Sequence, residues 1–170
     1  MPPSDDFESA LDALLLASRA MGGIAARSLP EWADVSLVQF RALVLIERDG
    51  ALNAGALAEQ LGVSPSTVTG LCDRLEARGL VVRALGSESR REVVVQLSPV
   101  GKALVDTAIA ARRLEMTRIL ERIPAEELRS MTTVLNAIAA AAGETPEQAW
   151  STGWRAGGST PAAPPPPPTE

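Results

Sequence analysis

Between Ala54 and Leu97 the chain reads AGALAEQLGVSPSTVTGLCDRLEARGLVVRALGSESRREVVVQL, two short helical patterns followed by two strand patterns. That order and spacing leave few ways to fold. Ala58, Gly62 and Val63 stand where two helices must cross closely. A small side chain lets the second helix approach, and glycine accepts the positive φ of the turn. Leu57, Leu61, Val68 and Leu71 are placed to clamp the pair, as a helix-turn-helix requires. Ser64 is a good N-cap for the second helix, and Pro65 suits its first position, where a missing N–H costs nothing. Val68, Leu71, Cys72 and Leu75 recur at i, i+3, i+4 and i+7, so they form the core-facing stripe and turn the opposite face outward.

The remaining positions near the start of that helix are Ser64, Pro65, Ser66, Thr67, Thr69 and Gly70, with Arg74 one turn later. Short hydrogen-bonding side chains let a helix backbone come close to base edges in the major groove, where bulky ones would hold it away. A merely solvated helix also carries Ser and Thr, but it has no need of the clamped partner helix before it. Gly79 closes the helix. Leu80–Leu85 and Glu92–Leu97 then read as two strands joined by a polar tip, forming a β-hairpin wing. Adjacent Arg90 and Arg91 at the tip suit a narrow minor groove, where negative potential is focused.

The stretch SPSTVTGLCDRLEARGLV, the basic wing and VVVQLSPVGKAL together resemble the MarR (multiple antibiotic resistance regulator) family of bacterial winged-helix transcription factors. The resemblance spans about Leu37 to Lys102 and reaches more weakly into the flanking helices. The family's wing ends in an Asp followed by two Arg residues. Here Ser89 stands at the Asp position while Arg90 and Arg91 match the pair, so the ionic brace of the wing is missing. Ser98-Pro99-Val100-Gly101 resembles the family's junction into its long dimerisation helix.

The resemblance implies a homodimer with two reading helices about 34 Å apart on an inverted-repeat operator of double-stranded DNA. It also implies a small aromatic or phenolic effector held between dimer frame and reader, acting through differential affinity for two arrangements. By that analogy Trp32 and Phe40 lie nearest the effector, with Arg41 and Arg112 as anion partners. The same four residues serve equally well as core anchors and solvated charges, because pockets and cores use the same side chains.

The flanking segments read as helices. Phe7 to about Leu29 is amphipathic through Leu11, Leu14, Leu15, Ser18 and Met21, and Pro30 ends it. Leu37–Arg48 carries Phe40, Leu43, Val44 and Glu47 at helical spacing before Asp49-Gly50. Pro99 opens a long helix to about Arg122, and Pro124 starts a last one with Glu126 and Glu127 in its first turn. Its stripe is Leu128, Met131, Leu135, Ile138 and Ala142. The expected fold is therefore mainly α with a small β-hairpin wing. A winged helix-turn-helix core of about 37–98 is flanked by dimerisation helices of about 7–29 and 99–142, in a single domain 1–145. Residues 146–170, with Trp150, Trp154 and a proline-rich run, read as a flexible tail.

The net charge of −5 argues against a strongly basic nucleic-acid binder, but local field matters more than the sum. From Gly70 to Arg91 five Arg face three acids, Asp73, Glu76 and Glu88. Histidine is absent, which removes a Ser-His-Asp hydrolase and most transition-metal ligand sets. The single cysteine, Cys72, lies on an apolar stripe and reads as a small buried hydrophobe. No cofactor, metal or enzymatic activity is expected. The acidic start MPPSDDFES lacks a signal's positive charge, and no apolar run approaches the about 18 residues of a membrane span. A cytoplasmic protein without a membrane partner is expected. The competing reading is a winged-helix module that binds protein rather than an operator; it would need neither small polar residues on the outer helix nor Arg at the wing tip.

Overall fold

The computed structural model describes residues 4–86 and 93–145. The wing-tip positions Ser89, Arg90 and Arg91, and the tail with Trp150 and Trp154, lie outside the described residues. Ser4 caps the first helix, α1 (Asp5–Arg27), with Asp5, Asp6 and Glu8 at the positive end of its dipole. The helix starts and stops two residues ahead of the expected span, because Ser4 already offers a cap and Ser28 closes it before Pro30. A single 3-10 turn, Glu31–Ala33, follows and ends on Asp34 in the left-handed region at φ 44°. Ser36 and Gln39 then form a reciprocal capping box for α2 (Leu37–Asp49), which stops at Gly50 with φ 79°.

The reader follows. A two-residue strand, β1 (Leu52–Asn53), leads into α3 (Ala54–Leu61), and the Asn53 side chain caps that helix. Gly62 turns at φ 66°, and α4 (Pro65–Ala77) begins under the Ser64 cap with Pro65 at its first position, as expected. Gly79, at φ 67°, lets the Leu80 N–H return to the Leu75 carbonyl at 2.9 Å, which ends α4 cleanly. The wing strands are β2 (Val81–Leu85) and β3 (Val93–Leu97), antiparallel with Val81 opposite Leu97 and Leu85 opposite Val93. β1 adds a third strand on the other side of β3, Leu52 opposite Val95, so the expected hairpin is part of a three-stranded sheet of order β1-β3-β2. Two long helices complete the chain, α5 (Pro99–Leu120) and α6 (Ala125–Ala141).

One core holds the reader together. Phe40, Leu43, Leu45 and Ile46 of α2 pack with Leu57, Val68, Leu71, Leu75, Val81, Leu104, Val105 and Ala108. Each of the larger side chains among these contributes about 1.5–3 kcal/mol on burial, so the reader and the start of α5 share one packed core. Glu47, on the apolar stripe of α2, is buried with them, and its carboxylate accepts from the Lys102 ammonium at 2.6 Å.

The outer helices behave differently. In α1 only Ile24 is buried, and α6 buries none of its residues. Leu11, Leu14, Leu15 and Leu16 on α1, Leu114 on α5, and Val134, Leu135 and Ile138 on α6 all stand exposed. By length and composition alone α1 is apolar enough to cross a membrane, which corrects the expectation that no segment reaches that threshold. Asp12 and Arg19 are carried on the same helix, and its final Arg27 pairs with Glu115 of α5 at 3.0 Å.

Candidate nucleic-acid interface

The first turn of α4 is organised by its own hydroxyls. Ser64 Oγ accepts from the Thr67 N–H at 3.3 Å and lies 2.9 Å from both Ser66 Oγ and Thr67 Oγ1. The Thr69 hydroxyl donates to the Pro65 carbonyl at 3.0 Å. These bonds hold the rotamers before any partner arrives, while the oxygens keep lone pairs that still accept. Ser64, Pro65, Ser66, Thr67, Thr69 and Arg74 are all exposed, and Gly70 is partly so. A Cβ at Gly70 would meet nothing within 4 Å. Glycine inside a helix costs about 0.8–1 kcal/mol relative to alanine, and no packing constraint in the protomer accounts for that loss. Val68, Leu71, Cys72 and Leu75 are buried beneath this face, as the stripe requires.

Charge around α4 is more balanced than the sequence suggests. Arg83 of β2 forms ion pairs with both Asp73 and Glu76 of α4, tying the wing to the helix. Arg78, the C-cap of α4, donates to the Asp34 carbonyl and, at 2.8 Å, to its carboxylate. Arg48 pairs with Asp49 at 2.7 Å and with Gln60 of α3. Among the described residues Arg74 is the cation of α4 that makes no ion pair. Arg78 and Asp34 lie 44 residues apart in sequence, whereas Arg83 reaches back from β2 to the adjacent α4 and Arg48 to its neighbour Asp49. Burial pushes the Cys72 thiol above its ordinary value; the Arg83 charge acts the other way, and the Asp73 and Glu76 carboxylates add to the rise. The thiol is thus protonated and inert at neutral pH.

The four residues assigned to an effector are distributed over several environments. Phe40 is in the core, and the Arg112 guanidinium sits 5.4 Å from its ring centroid as a cation–π contact. Arg41 pairs with Glu144 beyond the end of α6, and Trp32 stands half exposed on the 3-10 turn. The structure thus brings Phe40 and Arg112 together.

The MarR family model matches residues 35–93, which covers α2 to the start of β3. YfiV of Bacillus subtilis (strain 168), an uncharacterized HTH-type transcriptional regulator, is 35% identical over 119 residues, covering 69% of this chain and 71% of YfiV. The HTH-type transcriptional repressor MdtR of the same organism is 31% identical over 114 residues, 67% of this chain and 73% of MdtR. Among solved structures, RV1404 of Mycobacterium tuberculosis superposes with a TM-score of 0.77 at 33% identity, over 85% of this chain and 99% of that one.

Proposed function

The chain belongs to the MarR family of transcriptional regulators, and from that premise we propose that it is a homodimeric repressor of an inverted-repeat DNA operator, released by a small aromatic ligand. The observation that carries the reading is the outward face of α4: a capped, rigid first turn of small hydroxyl side chains ending in a helical glycine with open space above it. Ser64, Pro65, Ser66, Thr67, Thr69 and Gly70 meet base edges and the adjoining phosphates, and Arg74 meets the backbone. Arg90 and Arg91 enter the flanking minor groove. The uncovered apolar faces of α1, α5 and α6 support a two-fold partner, since a patch of that extent on a soluble protomer marks an interface. Repression is supported by the likeness to MdtR. The effector reading rests on Trp32, Phe40, Arg41 and Arg112, with the Phe40–Arg112 pair as the element a ligand would rearrange.

The test begins with a duplex selected from a random pool by the wild-type protein. Replacing Arg90 and Arg91 together by Ala should weaken binding to it by about ten- to a hundredfold, because a dimer loses four cations and the counterion release they drive. Light scattering should show the dimer intact. Unchanged affinity in a gel-shift titration rejects the wing's role.

Gly70→Ala separates fold from function. In the free protein it should raise the melting temperature by a few degrees, since it removes a helix-interior glycine with room for the methyl. Binding to the selected duplex should nevertheless fall about tenfold, as the methyl holds the backbone away from the bases. A variant that gains stability and keeps its affinity places the DNA contact elsewhere on the protein.

A further inference from the structure

The end of the reading helix is held from two sides. Arg78 ties it to Asp34 in the connection between α1 and α2. On the other side stands the start of α5, where the hydroxyl and backbone N–H of Ser98 make three bonds. Its Oγ accepts from the Gly101 N–H at 3.0 Å and so caps α5. The same hydroxyl donates to the Gly79 carbonyl at 2.5 Å, and its backbone N–H donates to the Leu80 carbonyl at 3.0 Å. Ser98 is buried, so water does not compete for these partners. The contact is close: a Cβ at Gly101 would lie 1.9 Å from the Leu80 carbonyl oxygen.

Capping needs only an acceptor, whereas the bond to Gly79 needs a proton. A hydroxyl supplies both at once, and the two tasks can therefore be separated by substitution. They also differ in consequence. The cap concerns α5 alone, but the donated bond fixes how α4 departs from α5. With 13 residues α4 is about 20 Å long. A rotation of about 5° at its C-terminal end moves Ser66 by about 1.5 Å, enough to break hydrogen bonds that tolerate only a few tenths of an ångström.

We propose that Ser98 is a positioning residue for DNA recognition, its hydroxyl bond to the Gly79 carbonyl setting the angle between the reading helix and the long helix α5. This rests on the operator-binding reading of α4, and the experiment keeps the two apart. Wild type, Ser98→Thr, Ser98→Asp and Ser98→Ala are titrated by fluorescence anisotropy against the duplex selected by wild type and against a scrambled duplex of equal composition. Melting curves fix a temperature at which every variant compared is folded.

Thr keeps both bonds and should keep wild-type preference. Asp keeps the acceptor that caps α5 but has no proton for Gly79, and Ala has neither. Both should lose about tenfold on the selected duplex and less than about twofold on the scrambled one, whose binding depends on phosphate contacts. A role confined to capping predicts instead that Asp retains wild-type preference, and that result overturns the proposal. If Asp does not fold, Thr and Ala decide: an equal preference ratio for the two overturns it as well. A wild-type protein that selects no sequence overturns the operator reading itself, and this role with it.

Discussion

Replacing Gly101 by Ala is expected to destabilise the protein by about 3 kcal/mol, at the upper end of what overpacking costs. The added methyl would stand 1.9 Å from the Leu80 carbonyl oxygen and 2.9 Å from its carbon. Neither atom can retreat alone. The Leu80 carbonyl accepts from Ser98, and the preceding Gly79 carbonyl accepts from the Ser98 hydroxyl, so relief of the clash disturbs the junction on both sides. At fixed protomer concentration the melting temperature should drop by about 10 °C. Gly70→Ala, the same chemical change in open space, moves the other way and serves as the control. A melting temperature within about 2 °C of wild type would show that α5 does not press on Leu80 as described.

The second large effect concerns the buried Glu47. Its side chain is only 7% exposed, and Lys102 reaches it from a half-solvated position at 2.6 Å, with Asp106 at 3.7 Å from the same ammonium. Lys102→Met removes the counter-charge and should destabilise the fold by about 2 kcal/mol, less than for a fully buried pair because water reaches the lysine side. Adding Glu47→Leu should recover most of the loss, since the charge that needed compensation is then gone. Recovery is read from urea unfolding of both single variants and the double.

The pH dependence has a definite sign. Burial acts against the charged Lys102, but its hydrogen bond and attraction to Glu47, helped by Asp106, outweigh burial and raise its pKa above 10.5. A raised lysine pKa stabilises the fold fully below 10.5 and loses that contribution as pH climbs through the folded value. Between 10.5 and the raised folded value wild type should therefore weaken more steeply with pH than the double variant. A double variant no more stable than Lys102→Met alone would mean the lysine acts through packing rather than charge.

What could be read in advance was what local chemistry decides. Ser64-Pro65, Gly62, Gly79 and the Val68, Leu71, Cys72, Leu75 stripe each act within a turn or two, and the structure has each as expected. Ser36 with Gln39 three residues on is an equally local signal that the sequence offers for the start of α2. β1 is different in kind. Two residues carry no period, and Leu52–Asn53 are extended only because β3, some forty residues later, supplies their partner. The ion pairs are similar: Arg78 with Asp34 and Arg83 with Asp73 and Glu76 turn an apparent cationic surplus into structural ties. Glu47 falls at helical spacing with Phe40, Leu43 and Val44, and the approach of α5 brings Lys102 to its carboxylate.

Those ties bear on how such a regulator finds its target. Any genome offers on the order of a million or more decoy sites, and grip on decoys comes from free cations meeting phosphates. Arg48, Arg78 and Arg83 are each committed to a carboxylate of the same protomer, so these three cations add less to the grip on random sequence than free ones would. On the operator-binding reading, occupancy at a true target then depends more on fit, and modest losses of fit translate directly into lost regulation.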